Sequence, residues 1–491
     1  MRKHLLRKGS QFVIVYPSCA AGSCTVITRN RCHGVDNMLL MNMRRVNVAG
    51  CSNLLRKLVQ LRTMMDSAKA SDDPHLLHLF DGGPTNVYSK DHDNLSVGAP
   101  GPDHLRLCVE IMQNATLHRM EREKENPYLF QYGIPCGLWE FREDLSHFLS
   151  ELYGGNVNRK DLVLTCGATH GLQLILGTFL SPNAVIFVEE ATYMIALSAF
   201  KQYPLMKIVP VPFNNDGVDT EAFKKIALEE KSKGKWMTDE QRPFWAVFYT
   251  IPVFHNPTGI TMLEGCSQSL IHMARELDIL IACDDVYNLL YYGSKEYPPK
   301  RLFAYDTEMD GYEGGHVISN CSVSKIMAPA LRVGWLEAPP RLTNILRESG
   351  VLVSGGGVNQ YMAGLITSAI KLGTLKSHLN VLKKTFQDRM FSLCEVLSKN
   401  LPDGCSARRP DGGYFVWIVL PETVDANDFL PWCKENYKVS ALPGNIFSPV
   451  GKFRNCIRLA ISFHDKERLS AAGYRLCQAL TEYFKINSIV V

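Results

Sequence analysis

The chain has 491 residues, 46% hydrophobic and 21% charged, ordinary values for a folded protein with room for about two or three domains. Fifty-three Lys and Arg against 49 Asp and Glu leave a net charge of +4, too weak to argue for nucleic acid. Apolar runs such as "LQLILGTFL" fall far short of the ~20 residues a membrane span needs, and fifteen cysteines without a CxxC pair match neither a zinc ribbon nor a disulfide ladder.

The thiols are therefore expected reduced and mostly buried, and no metal site is expected. In chain order, the first fifty residues carry eight Lys or Arg and a single acid, Asp36. That bias fits a mitochondrial presequence, a basic extension, or a true start at Met38, Met41 or Met43. Residues 1–70 are taken as this extension, and the protein is placed in the cytoplasm or the mitochondrion. A segment over 71–115 follows, whose "DNLSVGAPGPDHL" around Gly98 is extended and expected to cross a cleft and pack with a small C-terminal domain.

From about Asp161, β-type apolar runs alternate with helical patterns. "DLVLTC" precedes "ATHGLQLILGTFL", "AVIFVEE" precedes "TYMIALSAFKQY", and "KIVPVPF" precedes "DTEAFKKIALEEKSK". Then come "WAVFYTI", "SQSLIHMARELD", "ILIACDD" and "GHVISNC". Such alternation predicts an α/β domain over 116–358, its mostly parallel sheet sandwiched by helices. Strands covered on both faces are expected to be apolar throughout, as these are. After about Gly357 a long helical stretch, Asn359 to Leu397, leads to "GGYFVWIVL", "YKVSALPG" and "CIRLAISF", then a helix to Phe484. Residues 359–491 are expected to form a smaller α+β domain.

Open α/β sheets bind ligands at the carboxyl ends of their strands. Gly167 to Thr169, Glu190, Asn256, Asp284 and Lys325 fall at those ends and converge if the sheet forms. Lys325 lies among small residues in "SVSKIMAPALRVGW", seven positions before Arg332. A partly buried lysine loses its proton more readily than the ordinary value of ~10.4 allows and becomes a nucleophile toward carbonyls. Arg332 offers a planar fork suited to phosphate. A carbonyl compound bearing a phosphate points to pyridoxal phosphate, although the pair taken alone also reads as a loop lysine with an unrelated arginine. Asp284, after an apolar strand, suits a protonated pyridine nitrogen; the plain alternative is a helix cap, the better account for Asp285. Tyr287 and Asn256 suit donors to a ring oxygen, and Tyr193 suits a stacking partner or plain core. The "CGATHG" turn offers backbone amides for phosphate, or simply tight packing. Arg458 is a guanidinium inside an apolar strand, which needs an anion: a substrate carboxylate or a structural salt bridge.

The order of "GAPGP", "QYGIPCG", "CGATHG", "EEATY", "HNPTG", "DDVY", "SVSKIMAPALRVGW", "GGYFVW" and "CIRLAISF" resembles class I/II aminotransferases of pyridoxal phosphate fold type I. The resemblance spans about Ser96 to Phe463 and is nearest the branch of aminoadipate, aromatic and kynurenine aminotransferases. It implies transamination between amino acids and 2-oxo acids, with pyridoxal 5′-phosphate held on Lys325 through a Schiff base. Asp284 would pair with the pyridine nitrogen, Asn256 and Tyr287 would flank the ring oxygen, and Tyr193 would stack on the ring. Ala168, Thr169, Ser322 and Arg332 would surround the phosphate. Arg458, with Asn256 and Gly98, would face the substrate, and Pro257 would follow a cis bond. Tyr132 would reach the phosphate bound in a neighbouring subunit of a homodimer with shared sites. Two departures stand out: the phosphate turn lacks a serine many relatives have, and "EEATY" lacks a proline at Ala191. Carbon–sulfur β-elimination and non-catalytic regulation are the other functions this scaffold hosts.

Overall fold

The computed structural model describes residues 92–489, together with the backbone of four strands between Leu5 and Met43. Leu5–Lys8, Gln11–Pro17, Cys24–Cys32 and Val35–Met43 pair antiparallel in chain order within a unit spanning Met1–Gly83. The basic extension expected over 1–70 otherwise lies outside the described residues, and the segment expected over 71–115 is described only from His92.

A seven-stranded sheet organises the second unit, Pro84–Val491. Its strands are β1 (Leu162–Thr165), β2 (Leu180–Glu189), β3 (Lys207–Val211), β4 (Phe244–Thr250), β5 (Ile279–Asp284), β6 (Val317–Ser322) and β7 (Gly334–Glu337). They lie in the order β1-β7-β6-β5-β4-β2-β3. All neighbours are parallel except β7, which runs against both β6 and β1. β7 is four residues long and carries no alternation, so its sequence signal merges with the loop that precedes it.

Successive strand residues feed two different cores, as the period of two requires. Val185, Phe187, Ala246, Phe248, Ile279 and Ile281 pack on one face with Phe223 of α2 (Thr220–Lys233) and Leu270 of α3 (Glu264–Leu277). Ile186, Val188, Val247, Tyr249, Leu280 and Ala282 pack on the other with Ile175 of α1 (Ala168–Phe179). Continuous burial along β4, β5 and β6 accounts for their near-unbroken apolar runs.

The helical stretch expected from Asn359 to Leu397 is two helices, α4 (Gln360–Lys371) and α5 (Thr374–Asn400). The break falls where Gly373 takes φ +69°, a left-handed conformation open to glycine at little cost. A four-stranded antiparallel sheet follows, β8 (Ser406–Ala407), β9 (Phe415–Val419), β10 (Leu442–Pro443) and β11 (Cys456–Ala460), ordered β8-β9-β11-β10. The chain closes with α6 (Lys466–Ile486). The extended segment before Gly98 runs beside this sheet: Asp93–Asn94 pairs with Val439–Ser440, and the Ala460 amide donates to the Leu95 carbonyl at 2.7 Å. Among the described residues, no helix is long and apolar enough to cross a membrane.

Candidate active site

The six parallel strands end on one edge of the sheet, and the singled-out residues gather there except Glu190, which pairs with Lys452 at 2.6 Å away from the cavity lining. At the end of β1 the chain turns into α1 through Gly167, whose φ of +89° excludes most side chains. A Cβ at Gly167 would sit 2.8 Å from an Arg332 guanidinium nitrogen, so glycine also makes room for that fork. Arg332 is exposed and held by two backbone carbonyls, Pro329 at 3.0 Å and Cys166 at 3.2 Å. Beside it stand Thr169 in the first turn of α1, and Ser322, whose hydroxyl accepts from the Ser324 amide at 3.1 Å. The Ala168 carbonyl accepts from Asn320 at 2.8 Å, tying α1 to β6.

One strand over, Asp284 ends β5 and is buried. Its Oδ2 accepts from the Tyr249 hydroxyl at 2.7 Å, while its Oδ1 is buried without a partner. Burial raises its carboxyl to about 6 despite that bond. Lys325 follows β6, and its Nζ donates to the Gly98 carbonyl at 2.9 Å. Burial lowers this amine to about 8, with Asp284 opposing and Arg458 and Arg332 assisting. The Tyr414 hydroxyl fixes the lysine backbone by donating to the Lys325 carbonyl at 3.0 Å. Tyr193 lines the same cavity, its hydroxyl pushed up to about 12 by burial. Tyr287 is buried against the rings of Tyr414 and Phe415, at 5.5 and 5.7 Å.

Arg458, on β11, lies behind Asn256 of this cavity's lining and is 2% exposed. It donates to the Asn256 side-chain carbonyl at 3.0 Å and to the Ser96 backbone carbonyl, and its Nε is buried without a partner. Its guanidinium lies over the rings of Phe415 and Phe447, 4.2 and 4.9 Å from their centroids. Among the described residues it forms no ion pair with a carboxylate, so the structural salt bridge is not found. Burial without a counter-charge lowers even this guanidinium to about 10. The Asn256–Pro257 bond is cis, as expected.

A cavity of about 190 Å³ joins these groups, lined by Ala168, Thr169, Tyr193, Asn256, Asp284, Tyr287, Ser322, Lys325 and Arg332 among others. Gly98 closes it through its carbonyl, and a Cβ there would meet Phe415 at 2.7 Å. Tyr132 does not join them; it is 81% exposed on the surface. The helix-capping account of Asp285 is corrected: a turn follows, and Asp285 is buried, accepting from Asn288 at 3.1 Å and from Ser319. Tyr249, Asn320 and Tyr414 were not legible as site residues. Tyr249 sits opposite Ala282 on the neighbouring strand, so its reach to Asp284 depends on strand register. Asn320 and Tyr414 read as ordinary polar and aromatic positions.

These groups fit pyridoxal phosphate. The orphaned, buried Asp284 Oδ1 suits a protonated ring nitrogen, the lowered Lys325 amine suits an aldehyde, and the glycine-cleared Arg332 fork beside a helix N-terminus suits a phosphate.

Comparison with known proteins agrees. The family "Aminotransferase class I and II" matches residues 91–476. Aromatic-amino-acid aminotransferase 1 of Thermococcus litoralis is 30% identical over 420 residues, covering 85% of this chain and 93% of its own. The 2-aminoadipate transaminase of Thermus thermophilus is 28% identical, covering 74% and 84%. The kynurenine aminotransferase of Pyrococcus horikoshii, solved with PMP, superposes with a TM-score of 0.70 at 27% identity, covering 85% of this chain and 96% of that one. The chain belongs to the class I and II aminotransferases and is a pyridoxal-phosphate-dependent transaminase.

Proposed function

We propose that this transaminase takes aromatic amino acids as its preferred donors, with Arg458 receiving the α-carboxylate. The observation that carries this is a buried guanidinium with no carboxylate of its own, flanked by Phe415 and Phe447. The rings of Trp417 and Phe453 pack beside them, Trp417 6.0 Å from Phe447 and Phe453 6.3 Å from Trp417. The relatives named for aromatic amino acids and kynurenine support the same class.

When bound, pyridoxal phosphate supplies an aldehyde that exchanges amines and a ring that accepts electrons from the substrate Cα. The chain's own groups supply the rest. Lys325 would hold the cofactor through its amine, and its freed Nζ would take up and carry the substrate Cα proton. Asp284 presents Oδ1 to the ring nitrogen while Tyr249 orients the carboxylate through Oδ2. Asn256 and Tyr287, which line the cavity, would donate to the ring oxygen, and Tyr193 would stack on the ring. The α1 amides at Ala168 and Thr169, with Ser322 and Arg332, hold the phosphate. Gly98 and Asn256 border the substrate. Bidentate, charge-assisted contacts from Arg458 together contribute roughly 1.5–3 kcal/mol to carboxylate binding. The exposed Tyr132 serves the phosphate site of a second copy in a homodimer. Protein of this kind is expected in the cytoplasm.

The test is a panel of donors with 2-oxoglutarate and pyruvate as acceptors, with product 2-oxo acids measured. Phenylalanine, tyrosine and kynurenine should lead, ahead of aspartate and glutamate. Preference for acidic donors, or release of pyruvate and thiol from cysteine conjugates as the main activity, would overturn the assignment.

A further inference from the structure

Behind Asn256 lies a second, much smaller cavity of about 10 Å³, walled by Glu189, Phe213, Gly217, Val218, Ile251, Pro252, His255, Ile260 and Met262. Two polar side chains enter it, and both are almost wholly buried: Glu189 at 4% exposure and His255 at 2%. Glu189 closes β2, and its Oε1 accepts from the Thr250 hydroxyl at the end of β4. Its Oε2 has no partner, and neither has His255 Nε2; the two atoms face each other at 3.9 Å. On the other side of the ring, His255 Nδ1 is 2.8 Å from the Thr258 hydroxyl. The His255 backbone is pinned as well, its amide donating to Ile260 and its carbonyl accepting from Gly259.

Two arrangements of protons satisfy every member, a neutral acid with a neutral ring and a carboxylate with an imidazolium, and the second keeps two charges buried away from water. An ionised Glu189 beside a neutral imidazole leaves an uncompensated buried charge, which costs several kcal/mol. A neutral acid donating from Oε2 to the Nε2 lone pair leaves none. It also puts the ring proton on Nδ1, where it donates to Thr258. Burial drives both groups toward the neutral form, raising the Glu189 carboxyl to about 7 and lowering the His255 imidazole to about 3.

We infer that Thr250, Glu189, His255 and Thr258 form one directional polar relay, hydrogen-bonded at its two ends and joined in the middle by the 3.9 Å approach of Glu189 to His255, that positions Asn256, and through it Arg458, for the substrate carboxylate. Asn256 is the neighbour of His255 in the chain, and its carbonyl oxygen is one of only two acceptors on the Arg458 fork among the described residues. The relay couples the ends of β2 and β4 to the turn that carries Asn256. Glu189 and His255 are positioning residues, since neither lines the main cavity. This inference rests on Arg458 being the carboxylate receptor.

Two measurements test it. The first is the ¹⁵N spectrum of histidine-labelled, cofactor-loaded full-length protein, with the His255 signals assigned by their loss in His255→Gln. A neutral imidazole protonated on Nδ1 is expected; an imidazolium or an Nε2-protonated ring overturns the relay. The second is steady-state kinetics with the best donor of the panel. Loss of one buried hydrogen bond should make Glu189→Ala raise KM about five- to tenfold, with kcat changed less than about threefold. Glu189→Gln keeps an N–H donor toward His255 Nε2 and should restore KM to within about twofold of the wild type. A Glu189→Gln variant as impaired as Glu189→Ala would show that a carboxylate, not a donor, is needed, and would sink the relay. If Arg458→Ala raises KM while Glu189→Ala does not, the relay fails and the carboxylate role stands. If Arg458→Ala leaves KM unchanged, the carboxylate role itself fails, and the ¹⁵N result still decides the proton arrangement.

Discussion

Two arginines in this fold are buried to nearly the same depth and have opposite surroundings. Arg301, 3% exposed, meets both oxygens of Glu337 on β7 and lies over the Tyr153 ring at 4.2 Å. Arg458, 2% exposed, meets two neutral carbonyls and two aromatic rings, and forms no ion pair among the described residues. A buried guanidinium must be compensated. Where the chain supplies the carboxylate itself, the pair ties the start of the Leu302–Thr307 helix to β7. Where it does not, the charge is left for a ligand. Burial alone therefore does not mark a functional residue; burial with an unmet electrostatic demand does. Asp284, with an unpartnered Oδ1, and Lys325, with an amine lowered by burial, belong to the same side of that comparison.

The contrast can be broken by substitution, and the largest effect is expected at Lys325. Lys325→Ala should lower kcat by about four orders of magnitude through loss of acid–base catalysis, with cofactor no longer retained after borohydride reduction and denaturation. Normal turnover in that variant would refute its role. Glu337→Gln should strand Arg301 and cost about 3–5 kcal/mol of unfolding free energy in urea titrations, with KM unchanged in the folded enzyme. Arg458→Ala should do the reverse, raising donor KM roughly ten- to a hundredfold with little loss of stability. If the two arginines gave the same phenotype, the distinction drawn between them would collapse.

A smaller effect is expected from pH. Attack on the cofactor aldehyde needs the free amine, so capture of pyridoxal phosphate by apo-protein should rise with pH and level off above about 8. Below that, the rate should fall about tenfold per pH unit as Lys325 takes up its proton. The same depressed value means that this group's contribution to apo-protein stability is full above its ordinary 10.5 and lost as pH falls through about 8. A capture rate flat from pH 6 to 9 would show the lysine to be unperturbed. Least affected should be Arg332→Ala, because its guanidinium is exposed and water screens it: about three- to tenfold weaker cofactor binding by equilibrium dialysis.

Much of this was legible before any coordinates. Unbroken apolar runs such as "WAVFYT" and "ILIACD", spaced by helical patterns, predicted buried parallel strands, and β4 and β5 fall on them. The antiparallel β7 was missed because four residues within a loop-rich stretch carry no usable period. Gly373 was overlooked as a helix break because α4 and α5 continue the same apolar pattern across it. At the site, Lys325, Asp284 and Asn256 stood out as polar residues after apolar strands, and Arg458 as a charge inside one. Tyr249 and the Glu189–His255 pair did not, since an aromatic in a strand and an acid after one have ordinary explanations.

The sequence by itself determined which residue types occur and where along the chain they interrupt apolar segments, because hydrophobic period and turn chemistry are local. The order of its short motifs resembles one family, and that resemblance implied the cofactor chemistry and the residues able to serve it. Only the tertiary structure decided who satisfies whom. Whether a buried arginine meets a carboxylate, whether Asp284 keeps one oxygen free, and whether Glu189 faces His255 depend on strand order and register. Those juxtapose groups tens to hundreds of residues apart, and at contact distances a shift of a single ångström separates a satisfied charge from an unmet one.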